Sequence, residues 1–329
     1  MATYTGIKGQ SVQVVSSDPS PLIPGQIWYN STSNTLKAAI QCSEVGPAAW
    51  TAGGAMNEGR RGLAGAGTNT AALAFGGPFC SACTESYNGS TWTNRGAMGT
   101  GRTYLAGAGT NTAALAFGGL AAAVVACTES YNGTSWTAGG ALGTARYGLA
   151  GAGATNTAAL AFGGNGAKSC TESYNGSTWT AGGALGTGRT RLAGAGTNTS
   201  ALAFGGGLGQ CLTCTESYNG STWTAGGAMG TGRYQLGNAG ISNTAALGFS
   251  GYRTGGQPSV SCTESYNGTS WTAGSAMGLA RYNLAGAGTN TAALAFGGSG
   301  SPGNQLTCTE SYGAGSPATV TCTRTLTIS

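Results

Sequence analysis

Six times along the chain one pattern returns: Arg-x-x-Leu-Ala-Gly-Ala-Gly-Thr-Asn-Thr-Ala-Ala-Leu-Ala-Phe-Gly-Gly, a loop, then Cys-Thr-Glu-Ser-Tyr-Asn-Gly and a tryptophan. The tryptophans fall at Trp50, Trp92, Trp136, Trp179, Trp223 and Trp271, spaced 42, 44, 43, 44 and 48 residues apart. Periods of that length belong to propellers and solenoids, whose units bury their apolar faces only against one another. A ring or a stack is expected, not a catalytic domain with appendages.

Each unit divides into four short extended segments. In the second, residues 105–110 carry alternating small residues, 113–117 put Leu115 and Phe117 on one face, and 127–131 put Cys127, Glu129 and Tyr131 on one face. Trp136 lies in the fourth segment. Asn-Gly pairs at Asn88, Asn132, Asn175, Asn219 and Asn267 separate the third segment from the fourth, a strong hairpin signal. Four antiparallel strands per unit make a propeller blade.

The array is circularly permuted. Trp50 precedes the first repeat arginine, Arg60, while the last unit ends at Tyr312 without its tryptophan. An N-terminal segment is thus available to complete the last unit, a clasp that a ring needs and a solenoid does not. Because Cys42-Ser43-Glu44 mimics the third segment, either the Trp50 strand alone or a whole hairpin supplies the clasp.

The order Arg, Gly-Gly, Glu-x-Tyr, Trp over residues 50–312 resembles the kelch repeat, with Tyr-Asn where kelch has Tyr-Asp and with far more Gly and Ala. The resemblance implies an all-β, six-bladed kelch-like β-propeller with four antiparallel strands per blade, closed by an N-terminal strand carrying Trp50. Residues 1–49 then form an anchoring segment with a β-hairpin, and 313–329 a C-terminal strand.

Glycine supplies 63 of 329 residues, at fixed places in each unit and without a collagen period. Only 23 residues are charged (14 basic and 9 acidic), and twelve of these repeat. They are Arg60, Arg102, Arg146, Arg189, Arg233 and Arg281, with Glu85, Glu129, Glu172, Glu216, Glu264 and Glu310. A six-fold pattern in so neutral a chain predicts buried or half-buried Arg–Glu pairs, within or between blades. The net charge is +5, but no basic run tracks a phosphate backbone, so nucleic acid is not an expected partner. No apolar stretch is long enough to span a bilayer.

Ten cysteines divide into six repeat positions, read as buried small hydrophobes, and Cys42, Cys80, Cys211 and Cys322. The Cys-x-x-Cys spacings at Cys80 and Cys211 suit a local disulfide or free thiols; zinc would need the two pairs together. With no histidine anywhere, a Ser-His-Asp or Cys-His nucleophile and a histidine-ligated metal are impossible, including the copper chemistry known on kelch propellers. No phosphate-cradling glycine motif is present either. The expectation is a protein that is not an enzyme, with no cofactor and no metal.

Comparing the units separates scaffold from payload. Variation gathers in the loops at 78–82, 120–126, 165–169, 207–213, 252–261 and 299–307, and in the pair after each repeat arginine. In an up-and-down blade both places emerge on one face, opposite the near-invariant turns and the points where the chain enters and leaves. That face carries Arg61, Tyr104, Tyr147, Arg191, Tyr234, Gln235, Tyr252, Arg253, Tyr282 and Asn283. Tyrosine, arginine and amides suit adaptable recognition and stacking on sugars; drift in exposed loops is the competing reading.

Residues 25–37, Gly-Gln-Ile-Trp-Tyr-Asn-Ser-Thr-Ser-Asn-Thr-Leu-Lys, read as a tight hairpin. They resemble N-terminal modules of bacteriophage fibre and virion-surface proteins, particularly cyanophage-like ones with Gly/Ala-rich kelch-like repeats. The resemblance implies a virion component (fibre, spike or capsid decoration) located at the particle surface or tail. Its partners would be other virion proteins through residues 1–49, a host-surface glycan or receptor, and further copies of the chain. A carbohydrate-binding propeller with no particle and a structural filament subunit are the alternatives. The C-terminal segment from Ala318 alternates like a strand that pairs with the N-terminal hairpin or a neighbouring subunit, which would let Cys42 and Cys322 meet.

Overall fold

The computed structural model describes residues 12–78, 82–207, 212–253, 259–300, 303–314 and 317–326. Among them the chain is all-β, with seven four-stranded sheets divided between two compact units. Residues 48–313 form one; residues 1–47 and 314–329 together form the other.

The larger unit is a propeller-like repeat of six antiparallel sheets. In the second sheet the strands are Ala106–Gly109, Ala114–Phe117, Thr128–Tyr131 and Trp136–Gly139, with Phe117 opposite both Ala106 and Thr128, and Tyr131 opposite Trp136. The second strand, Ala-Leu-Ala-Phe, is fully buried, so both its faces lie against neighbouring sheets and it reads as an unbroken apolar run. The two-residue period sorts its side chains. Leu115 and Phe117 enter the core shared with Leu149, Ala159 and Ala161 of the third sheet. Ala114 and Ala116 meet Leu73 and Phe75 of the first. Large side chains from one sheet thus fill the space left by alanines of the next, each buried Leu or Phe contributing about 1.5–3 kcal/mol.

The fourth strand ties each sheet to the one before it. Trp136 packs on Phe75 with ring centroids 5.0 Å apart, and its indole N–H donates to Thr84 Oγ1 at 2.9 Å. The same two contacts recur for Trp179, Trp223 and Trp271. The sixth sheet takes Ala49–Ala52 as its fourth strand, paired with Thr309–Gly313 so that Trp50 faces Tyr312. Trp50 reaches Phe249 and Thr263 of the fifth sheet, and Trp92 of the first reaches Phe296 and Thr309 of the sixth. The Trp50 strand alone completes this sheet, because Cys42-Ser43-Glu44 lie in a strand of the other unit.

The first strands, Ala-Gly-Ala-Gly, are poor β formers by propensity, and crowding explains them. A Cβ on Gly107 would lie 2.7 Å from Phe75 Cζ and 2.8 Å from Gly65 O. The Asn-Gly turns also have a specific geometry. Four residues separate Tyr87 from Trp92, and Asn88 Oδ1 accepts from the N–H groups of Ser90 and Thr91.

Each repeat arginine pairs with the glutamate of its own sheet. Arg60 pairs with Glu85; the Arg102–Glu129, Arg146–Glu172, Arg189–Glu216, Arg233–Glu264 and Arg281–Glu310 contacts are 3.0, 2.9, 2.9, 2.8 and 3.1 Å. All six guanidinium-bearing side chains are wholly buried. Burial pushes Arg189, Arg233 and Arg281 below the usual guanidinium value, opposed by the neighbouring glutamates and cysteines. The second carboxylate oxygen accepts the backbone N–H of the link from the preceding sheet, as at Gly143 to Glu172 and Gly186 to Glu216, both 2.6 Å.

The repeat cysteines sit against these arginines, which is where the sequence reading needs correcting. Cys127, Cys170, Cys214, Cys262 and Cys308 are half-buried free thiols, and Cys83 is exposed. Each lies just before the third strand, where its carbonyl or sulfur faces the guanidinium; Arg146 Nη1 donates to Cys170 O at 2.7 Å. The position is polar on one side, so it is not a core position. Cys80 and Cys211 lie outside the described residues.

In the smaller unit Gln13–Val15 pairs parallel with Ile27–Asn30, which pairs antiparallel with Thr35–Val45; that long strand pairs antiparallel with Pro317–Leu326. The two terminal segments, separate in sequence, therefore build one sheet. Cys42 stands opposite Val320 and Cys322 opposite Ile40, so the two are diagonal and not directly paired. Asp18 organises the hairpin: it accepts from Lys37 Nζ at 2.8 Å, Asn30 Nδ2 at 2.7 Å and the indole of fully buried Trp28 at 3.1 Å. Those bonds, Lys37 first, lower its pKa from 3.8 to about 2. A depressed carboxylate stabilises the fold above its unfolded value, and that contribution fades as pH falls through the folded one. The smaller unit should therefore loosen between about pH 4 and pH 2, a step that Asp18→Asn abolishes in an acid titration followed by Trp28 fluorescence.

Candidate functional site

The two residues after each repeat arginine have different tasks. The first pairs with the variable loop of its own sheet, in bridges Thr103 to Leu120, Thr190 to Gly207, Tyr234 to Tyr252 and Tyr282 to Ser299. The two variable places are thus physically joined. The second residue turns the chain into the first strand, and in every unit it has a positive φ: Gly62, Tyr104, Gly148, Arg191, Gln235 and Asn283, all between 53° and 62°.

These six turn residues bond to one another through their backbones. Tyr104 N–H donates to Gly62 O at 2.7 Å, Gly148 to Tyr104 at 2.8 Å, Arg191 to Gly148 at 2.6 Å, Gln235 to Arg191 at 2.9 Å and Asn283 to Gln235 at 2.9 Å. Gly62 N–H then donates to Asn283 O at 2.8 Å. This head-to-tail series forms a rim around a funnel of about 120 Å³, lined below by leucines such as Leu63 and Leu192 and by first-strand glycines and alanines. Left-handed backbone costs a side-chain-bearing residue about 1–2 kcal/mol, so Tyr104, Arg191 and Gln235 hold positions that glycine fills without strain.

The side chains above the rim make a continuous band. Arg191 Cζ lies 5.7 Å from the Tyr104 ring centre and 6.0 Å from that of Tyr234. Tyr104 neighbours Tyr147 at 6.3 Å; Tyr234 neighbours Tyr252 at 5.1 Å, which meets Tyr282 edge-on at 5.4 Å. Gly148 stands on the rim between Tyr104 and Arg191 and has no side chain to separate them. Cation–π contacts of this kind contribute about 0.5–1 kcal/mol at exposed sites and leave the guanidinium edge able to donate.

The structure therefore brings together Tyr104, Tyr147, Arg191, Tyr234, Gln235, Tyr252, Tyr282 and Asn283. Arg61 stands apart, reaching Gly303 O at 3.5 Å. Arg253 is exposed beside residues 254–258, which lie outside the described residues. Sequence reasoning missed Gly62 and Gly148 as rim members, and Asn238 in the funnel lining, where its amide donates to Gly194 O at 2.5 Å. Asn238 had a signal: it interrupts a position that is glycine in the other five units. Among the described residues no cluster of His, Cys, Asp or Glu could hold a metal ion, and no helix is long and apolar enough to cross a membrane.

Fold and site together define an all-β repeat protein with a propeller-like body and a tyrosine-lined rim. No protein-family model matches the sequence, and no curated protein is significantly similar to it.

Proposed function

We propose that the six repeat sheets are the blades of a closed kelch-type propeller, and that the chain is a non-enzymatic bacteriophage virion component that recognises a host-surface glycan. The closed ring is supported by the rim bonds that return from Asn283 to Gly62 and by the Trp92 contact with Thr309. The observation that carries the binding role is the convergence of the most variable residues, from five units, into one tyrosine–arginine band. Scaffold residues repeat almost without change, whereas the band is assembled from differences between units. Attachment falls to the unit built from both termini, because the repeat body receives the chain at Ala49 and releases it at the adjacent Gly313.

The test is adsorption of the purified full-length chain to bacterial cells and to printed bacterial surface glycans, wild type against Tyr234→Ala/Tyr282→Ala. Removal of two stacking rings should reduce binding at least tenfold while thermal unfolding stays within a few degrees. Equal binding by both proteins would mean that the variable residues are drift. An antibody against the chain should decorate intact particles, and its failure to do so would favour a lectin-like propeller with no particle.

A further inference from the structure

The charges of the repeat body are distributed unevenly. Of its seven carboxylates, six are locked against the buried repeat arginines, which leaves Glu58 alone. Five basic residues remain outside those pairs: Arg61, Arg95, Lys168, Arg191 and Arg253. Arg95 belongs to a fourth strand, where its Nε donates to Ser86 Oγ at 2.7 Å. The other four lie in the rim turns or the loops joined to them, with Glu58 in the link before Arg60 as the counterweight. Four positive charges against one negative give that end of the body a net charge of +3.

Arg191 is the centre of this excess. It forms no ion pair among the described residues, and its guanidinium is held between the faces of Tyr104 and Tyr234. Around the same funnel stand the amides of Gln235, Asn238 and Asn283. A guanidinium presents a planar fork that matches a carboxylate or phosphate, amides bond to hydroxyls, and tyrosine faces stack on pyranose rings. A neutral sugar would use the rings and amides and leave the fixed positive charge unanswered.

We infer that the rim binds an acid-bearing sugar, a pyranose carrying a carboxylate or a phosphate, with Arg191 receiving the acid group and the flanking tyrosines receiving the ring. This rests on the glycan-binding reading and narrows it. The funnel opens to solvent, so a terminal or side-branch group of a polysaccharide can reach the rim. Binding is therefore salt-sensitive, since part of it is charge pairing at a solvent-accessible site.

The experiment uses the full chain on an array of bacterial surface glycans grouped as carboxylate-bearing, phosphate-bearing and neutral, with single-stranded DNA printed alongside. Arg191→Gln is the test variant, because Gln235 already occupies the equivalent left-handed rim position; Arg95→Gln is the control. The expected result is selective binding to one acid-bearing group, weakened at least tenfold by Arg191→Gln and by raising NaCl from 50 to about 500 mM, and unchanged by Arg95→Gln. The group bound distinguishes carboxylate from phosphate. Binding to neutral glycans that Arg191→Gln leaves intact would overturn the acid assignment and keep the glycan reading. Binding to no glycan, or tighter binding to DNA than to any glycan, would overturn both.

Discussion

Glu216→Gln should destabilise the repeat body by about 3–5 kcal/mol, the cost of leaving a buried charge without its partner. The carboxylate has three donors: Arg189 Nη2 at 2.9 Å, the Gly186 N–H at 2.6 Å and the Thr187 N–H at 3.3 Å. An amide at this position turns an NH₂ toward one of them and leaves the wholly buried Arg189 uncompensated. Burial already lowers the pKa of Arg189, with Glu216 opposing, so the guanidinium depends on that carboxylate. In a body of this size the loss corresponds to a drop in Tm of roughly 6–20 °C. The double replacement Arg189→Met/Glu216→Leu should cost less than either single change, because it removes both charges together. Calorimetry of the wild type, Glu216→Gln, the two single replacements and the double replacement checks this, and an unchanged Tm for Glu216→Gln would refute the structural role of the pairs.

The second large effect is expected at Trp50. Trp50→Ala removes the packing on Phe249 and Tyr312 and the bond to Thr263, a loss of about 3 kcal/mol, the low end for a tryptophan truncation because Trp50 is half-buried. Trp179→Ala removes equivalent local contacts, but its strand is joined to Thr171–Tyr174 by a short turn and stays nearby. The Trp50 strand has no such turn; its partner strand lies at the far end of the repeat array, as in the Thr51 to Ser311 bond across 260 residues. Loop-closure entropy therefore works against its return. Trp50→Ala should lose hydrogen-exchange protection throughout Thr309–Gly313, whereas Trp179→Ala should lose it only locally. Matching protection patterns would mean that the sixth sheet does not depend on this clasp.

Much of the fold was legible because each unit repeats the same local chemistry. Asn-Gly turns, an Ala-Leu-Ala-Phe strand and a tryptophan at constant spacing specify a four-stranded sheet through contacts a few residues apart. The Arg–Glu pairs could be anticipated because a six-fold charge pattern in so neutral a chain requires a role. The half-buried cysteines were misread, since a sequence gives no sign that a small apolar residue stands beside a guanidinium. The candidate site was half legible. Variation between units singled out most of the side chains that the structure brings together, but it treated both residues after each arginine alike.

Sequence alone determined the repeat, its strands, its buried charges and the set of side chains that differ from unit to unit. Only the tertiary structure decided that the second residue of each variable pair takes the left-handed turn, and that Gly148 lets Arg191 lie against Tyr104. The reason is distance along the chain. Tyr104 and Arg191 stand two units apart, and no local propensity can place them together; packing of successive sheets against one another, with their rim turns bonded in series, does.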